Sequence, residues 1–334
     1  FYSLLFILGK VSSIMGRKNG TDNRIALLFL VIALFLCAKA YFPDQSAEFV
    51  EFVVSSSDEL KKPFYETSDV LYNPPEIVDS AGLLKIYFID VGQGDSTFIV
   101  YPNNVTMLID AGDNSHGDEV VAFVKELGFD TIDYVVATHP DADHIGGVDT
   151  VLDGLYVETY IDNGQEKDTK TYREIFEFID DEYYVSLFDD IYLNMSPATE
   201  TKLIVPWKSR GFFFKSYNDN SIITRIRYYN FTVLLAGDCE EECEKELYRH
   251  NDVSAIVLKA GHHGSKTSSS TVFLNKVDPS VVVISAGEGN RFGHPHEEAL
   301  ERFVLIESEI YRTDTMGSVV VESNGTDYRV TKVL

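Results

Sequence analysis

From position 139 the chain reads His139-Pro-Asp141-Ala-Asp143-His144, four groups able to ligate a cation within six residues. An irregular loop turns alternate side chains to opposite sides. His139 and Asp141 can then serve one ion while Asp143 and His144 serve a second, with a water shared between them. Two divalent ions a few ångströms apart acidify that water and stabilise the oxygens of an in-line displacement. Gly146-Gly147 follows at once, which allows close backbone approach and opens the next helix. The competing reading, a solvated acidic turn, leaves four ligand types at this density unexplained.

A centre of this kind needs a bridging anion and at least one more histidine. Asp238 suits the bridge, because it follows an apolar run and Gly237; a helix N-cap is its alternative role. His262 and His263 follow the next apolar run, and His294 and His296 the one after that. Of the eight histidines in the chain, only His116 and His250 fall outside these clusters. The expected metal set is His139, Asp141, Asp143, His144 and Asp238, completed by His262 or its neighbour His263 and by His294, more ligand-like than His296. One histidine of the adjacent pair points inward while its neighbour meets outer partners. Asp143, His263 and His294 are the candidates for moving the proton. His296 opens a helix and reads as a cap or surface residue.

Strands and helices must hold these groups. The spacing predicts strands over 83–90, 96–101 and 105–110, a helix over 119–127 ending at Gly128, and a buried strand over 134–138 that runs straight into His139. The stretch 151–210 is harder, with a helical pattern over 171–179 and a strand over 203–206. Residues 211–220 read as a loop. A hairpin-like pair follows over 222–229 and 231–236, then an acidic helix to about His250. Strands over 255–259 and 280–285, a helix over 296–305, and strands near 319–322 and 328–333 complete the pattern. Clustered strands followed by interleaved helices imply two mixed sheets with helices outside, an α/β fold. The polar signatures fall just after strand ends, where a rigid scaffold presents its loops.

The chain has 334 residues and a net charge of −25. Such a field repels polyanions, so nucleic acid is a disfavoured partner unless bound cations reverse the sign locally. Three cysteines make no disulfide framework. Cys239 and Cys243 lie four apart, one helical face, and read as structural or incidental thiols. Residues 25–38 are an unbroken apolar run behind Arg17, Lys18 and Arg24 and ahead of Ala38-Lys39-Ala40. That is the pattern of a secretory signal or signal-anchor, with Met15 as the expected start. The expected division is an N-terminal extension and signal over 1–42, a linker over 43–80, and one folded domain over 81–334. The folded part is expected outside the cell, secreted or membrane-anchored, touching membrane only through the N-terminal segment.

Seven stretches, taken together and in order, resemble the metallo-β-lactamase domain of the ComEC competence-protein family. They cover residues 88–95, 108–112, 138–147, 234–238, 258–267, 290–296 and 313–317. The resemblance implies an αββα sandwich with a metal site at one edge, two divalent ions (zinc or manganese), and hydrolysis most plausibly of a phosphodiester. It carries over His139, Asp141, Asp143, His144 and Asp238 as ligands and Asp110 as the buttress of the ligand loop. It assigns Asp95, Ser265, Asp314, Gly146 and Gly147 to supporting positions. His262 or His263, and His294, match motif positions with metal or substrate roles. Aspartate at 141, where the superfamily usually has histidine, adds an oxygen donor and favours a harder ion. The histidine usual between the ligand loop and the bridging aspartate is missing, because none occurs from 145 to 249; Asn220 or Asp219 could fill in. Full competence proteins join this domain to a many-helix membrane channel. With one apolar segment here, a DNA-uptake role is not expected.

The expected activity is an exported hydrolase that uses a metal-held hydroxide on a small or polymeric phosphoester. The alternatives are a hydrolase of carboxylic esters, lactones, lactams or cell-surface substrates, and a non-catalytic surface module that keeps the fold.

Overall fold

The computed structural model describes residues 82–209 and 211–333. The proposed signal and linker lie outside the described residues. Among the described residues, no helix is long and apolar enough to cross a membrane.

Two sheets form the centre. The first has eight strands in the order β15-β14-β1-β2-β3-β4-β5-β6, and the second seven in the order β13-β12-β11-β10-β9-β8-β7. In the first, β1 (Leu84–Phe88), β2 (Thr97–Val100) and β3 (Thr106–Ile109) are antiparallel, and β4 (Thr131–Val136), β5 (Tyr156–Asp162) and β6 (Tyr184–Ser186) continue in parallel. Strands β14 (Val319–Ser323) and β15 (Tyr328–Lys332) extend the other edge. The second sheet repeats the scheme. Its strands β7 (Ile191–Leu193), β8 (Thr199–Ile204), β9 (Ile223–Tyr228) and β10 (Phe231–Leu235) are antiparallel, whereas β11 (Val257–Lys259), β12 (Val281–Ile284) and β13 (Glu309–Arg312) run parallel.

Burial explains the layering. Ile86, Phe88, Ile99 and Met107 of the first sheet share one core with Leu203, Ile226, Val233 and Val283 of the second. The outer face of the first sheet packs Phe98, Leu108 and Val135 under Val120, Val124 and Val151, from helices Gly117–Glu126 and Val148–Gly154. The outer face of the second packs Leu234, Leu258 and Val282 under Leu247, Phe273 and Phe303, from helices Glu241–His250, Thr271–Val277 and Glu297–Leu305. This is the αββα sandwich expected. Strands β11 and β12 are buried on both faces; β12 reads as an unbroken apolar run, and β11 does so up to Lys259.

The middle of the chain departs from the sequence reading. Strand β5 carries Glu158 and alternates weakly, while β6 and β7 have three residues each, too short to show a period. The thiols differ too: Cys239 and Cys243 are joined as a disulfide, Cα to Cα 5.4 Å, because the turn into helix Glu241–His250 brings both sulfurs to one buried face.

Candidate metal centre

Every candidate ligand leaves the C-terminal end of a strand. Asp110 follows β3, His139–His144 follow β4, Asp238 follows β10, His262 and His263 follow β11, and His294 lies in the loop after β12. Because β3–β5 and β10–β12 run parallel in their own sheets, these loops emerge on one edge.

The ligand loop is clamped before any ion is considered. Asp110, held at φ +58°, accepts from the Thr138 N–H at 2.8 Å, the Thr138 hydroxyl at 2.8 Å and His144 Nδ1 at 2.7 Å. His144 therefore carries its proton on Nδ1 and aims Nε2 inward. Gly146 and Gly147 have no room for a side chain: a Cβ would lie 2.3 Å from the Asn114 amide nitrogen and from the Ala111 carbonyl, respectively. Ser265 supports the histidine turn, its N–H donating to the His262 carbonyl at 2.8 Å.

Asp238 stands at the centre. The helix that follows begins at Glu241 with Glu240 as its cap, so Asp238 does not serve as the N-cap. Its Oδ1 lies 3.2 Å from His144 Nε2 and 3.6 Å from His263 Nε2. Its Oδ2 lies 3.9 Å from His139 Nε2 and 3.8 Å from His262 Nε2. Asp143 Oδ2 approaches His263 Nε2 at 3.4 Å, and Asp141 Oδ2 approaches His139 Nε2 at 4.0 Å. The Nε2 atoms of His139, His144 and His263 and Oδ1 of Asp238 are all buried without a well-aligned hydrogen-bond partner. Unpaired buried polar atoms are costly, and four converging on one point fit a cation. The donor groups within 4.8 Å are His139–His144–Asp238, Asp143–His144–His263, Asp95–Asp110–His144 and Asp95–Asp238–His263.

Electrostatics match. Burial opposes charge on Asp238, yet the adjoining His144 and His263 rings hold it well below the usual carboxylate range. Burial likewise opposes charge on His144 and His263, but the facing carboxylates dominate. Asp238 and Asp110 lift His144 well above its ordinary value, and Asp238 and Asp95 lift His263 to about 9. His139 goes the other way, down to about 4, through burial and the charge on His144. Without an ion, protons neutralise this cluster; a bound ion would take their place and release them.

His263 sits deeper than His262. Its Nδ1 contacts the Ser285 carbonyl at 3.1 Å, which leaves Nε2 facing Asp143 and Asp238, so the residue expected to move protons also has a ligand's geometry. His294, like His262 and Asp141, joins none of the donor groups. Its ring lies 5.2 Å from that of His262 and 6.0 Å from that of His263, and burial with those neighbours' charges pushes it down to about 4. Asp314 pairs with Arg312 in a bidentate contact, at 2.9 and 2.6 Å, and joins no donor group. Asn220 and Asp219 are both engaged elsewhere. The Asn220 amide ties the loop through Phe214, Ser216 and Gln165. Asp219 accepts from the N–H groups of Glu240 and Cys243.

Three supporting residues escaped the sequence reading. Lys259 is only 2% exposed; its ammonium meets Asp95 and donates to the Gly237 carbonyl. Asp95 in turn lies 3.3 Å from His263 Nδ1, so this lysine joins loops from both sheets beneath the centre. A lone charge inside the buried run Val257–Lys259 was the signal available. Lys167 pairs with Asp141 Oδ1 at 2.7 Å, and Glu240 Oε1 accepts from His262 Nδ1 at 3.1 Å; neither has a sequence signature. A cleft of about 730 Å³ opens beside Asp143, lined also by Gln93, Asn114, Asn290, Arg291 and Phe292.

This fold and this cluster belong together: residues 89–288 match the Metallo-beta-lactamase superfamily, and the chain belongs to it. It is accordingly a metal-dependent hydrolase by class. Its relatives sharpen the placement. The chain is 28% identical over 263 residues to ComE operon protein 3 of Bacillus subtilis, covering 70% of this chain and 32% of that protein. It is 29% identical over 238 residues to Recombination protein 2 of Haemophilus influenzae, covering 70% and 28%. The resemblance to the competence family is borne out, over about a third or less of each relative's length. Among solved structures, a CmlA beta-hydroxylase mutant aligns with a TM-score of 0.47 at 12% identity, covering 75% of this chain and 54% of that one.

Proposed function

We propose that this chain is an exported hydrolase of phosphodiesters that works with two divalent ions, zinc or manganese. One observation carries the reading: buried donor atoms of His139, His144, His263 and Asp238 converge without partners, while each histidine's other nitrogen is already in contact with a neighbour. Bound ions would supply Lewis acidity and a water ionised near neutral pH. His139, Asp141 and Asp238 would hold one, and Asp143, His144, His263 and Asp238 the other.

The chain's own residues do the rest. Asp143 borders both the cluster and the cleft, which suits it to accept the proton of an attacking water. His294, neutral beside the cleft residue Phe292 with rings 5.8 Å apart, suits a hydrogen bond to the leaving oxygen, whose proton would come from solvent. Arg291 offers the cleft a fixed cation for a phosphoryl oxygen. These charges and the ions would offset the overall field of −25, which favours a small phosphoester or short strand over unassisted polyanion binding. Relatives named for competence and recombination favour phosphodiesters over carboxylic esters. The Cys239–Cys243 bond favours an oxidising compartment, secreted or surface-anchored.

The test is turnover of bis(p-nitrophenyl) phosphate, single-stranded DNA and p-nitrophenyl acetate with zinc, manganese, magnesium and cobalt. Phosphodiester cleavage with at least one ion is expected. No turnover of either phosphodiester with any ion would sink the reading.

A further inference from the structure

The first pocket lacks the histidine that its relatives' superfamily usually places between the ligand loop and the bridging aspartate, and neither Asn220 nor Asp219 is free to replace it. The bridging carboxylate shows what does. Asp238 divides the four inward histidine nitrogens between its two oxygens: His144 and His263 approach Oδ1, whereas His139 and His262 approach Oδ2 at 3.9 and 3.8 Å. Donors that share an ion at roughly 2.0–2.2 Å each stand no more than about 4.4 Å apart. Both Oδ2 pairs satisfy that limit, as does His139 with Asp141 Oδ2 at 4.0 Å.

We propose that His262 is the missing donor of the first pocket, turned into place by Glu240. Glu240 Oε1 accepts from His262 Nδ1 at 3.1 Å, leaving the Nε2 lone pair toward Asp238. Asp110 does the same for His144, an arrangement of carboxylate, imidazole and ion that raises ligand basicity and fixes the tautomer. Glu240 is itself held by the Thr267 hydroxyl. The Asn218 amide reaches the same ring at 3.4 Å.

The backbone explains how neighbouring residues serve different ions. His262 and His263 both adopt left-handed conformations, φ +48° and +52°, which non-glycine residues rarely hold without constraint. The His262 N–H is pinned to the Gly237 carbonyl at 3.1 Å, directly before Asp238. The two rings consequently diverge, centroids 6.0 Å apart and planes at 67°, around the single carboxylate.

The inference rests on the two-ion reading, so the experiment counts ions as well as turnover. The full chain is stripped of metal, titrated with zinc by calorimetry, and the retained zinc is measured after dialysis. Wild type should bind two zinc ions in two steps, His262→Ala should retain one, and His263→Ala should lose the other step. Glu240→Ala should weaken only the step that His262→Ala abolishes, by about 10–100-fold, and should add nothing in the His262→Ala background. Cobalt in place of zinc should show altered d–d absorption in His262→Ala. Circular dichroism verifies folding; should His262→Ala fail to fold, His262→Gln and Glu240→Ala read the same step. Unchanged affinities in folded His262→Ala would overturn the proposal. A wild type that binds one zinc, with His262→Ala unchanged, would overturn it and leave a one-ion hydrolase. A wild type that binds none would overturn the two-ion reading along with it.

Discussion

The two pockets around Asp238 are built from similar donors in unlike surroundings. In the pocket of His144 and His263 both rings are almost fully buried, at 0% and 1%, and rest on buried Asp110, the Ser285 carbonyl and the Asp95–Lys259 pair. In the pocket of His139, that histidine and the shared Asp238 are buried, and in both pockets the loop aspartate, Asp141 or Asp143, is partly exposed. Asp141 and His262 are partly exposed, and their partners Lys167 and Glu240 are partly exposed too. A buried orienting group is held by the core and barely screened, whereas an exposed ion pair contributes little and weakens with salt. In the two-ion reading the fold would thus give one pocket a buried frame, the rigid one, and the other a more exposed frame, the adjustable one.

Removing the group they share erases the contrast. Asp238→Ala should abolish zinc retention at both pockets and lower kcat/KM on the order of 10³-fold or more, as when a group that stabilises reacting charge is lost. Retention of either ion would show that the pockets do not depend on one bridge. The next effect is on stability. His263 is raised to about 9 in the metal-free fold, above its ordinary 6.5. Its contribution is fully present below about 6.5 and is lost as pH rises through about 9, roughly 3 kcal/mol at most. Thermal melts of metal-free protein should therefore fall between pH 6.5 and 9, and those of zinc-loaded protein should not, since the ion replaces the proton. Parallel melting curves would refute the protonated cluster.

Asp110→Asn sharpens the contrast by disturbing the rigid pocket directly, through His144, and the other only through Thr138. One zinc step should weaken about 10–100-fold while the other stays within twofold, read by calorimetry. The smallest effect belongs to Lys167→Met. Removing an ammonium next to Asp141 should strengthen the adjustable pocket's zinc affinity by a few-fold, up to about 1 kcal/mol, and flatten its salt dependence. Weaker binding would mean that the lysine's orienting contact outweighs its charge.

Much of the centre was legible because chemistry of this kind needs particular residue types close together. The loop 139–144 advertised itself, and Asp110, Asp143, Asp238 and the paired histidines all lie where the sequence reading placed candidates. What stayed hidden was the division of labour. The adjacent His262 and His263 look equivalent until left-handed backbone turns them apart, and His294 is set apart from them only by where its ring lies, 5.2 Å from that of His262 and 6.0 Å from that of His263. Asp314, assigned a supporting position by its motif, pairs with its neighbour Arg312. Strands β5, β6 and β7 were missed because edge or amphiphilic strands of few residues carry no readable period.

Residue type and order therefore determined the fold class and the strand-end placement of the polar motifs and marked Asp238 as the candidate bridge, since each follows from local pattern. Only the tertiary structure decided which nitrogen faces which oxygen, that Lys259 compensates Asp95 and Lys167 compensates Asp141, and that two cysteines close into a bond. Those outcomes depend on side chains as far apart in the chain as Asp95 and Lys259 meeting where the two sheets join, and contacts at that separation leave no periodic trace in sequence.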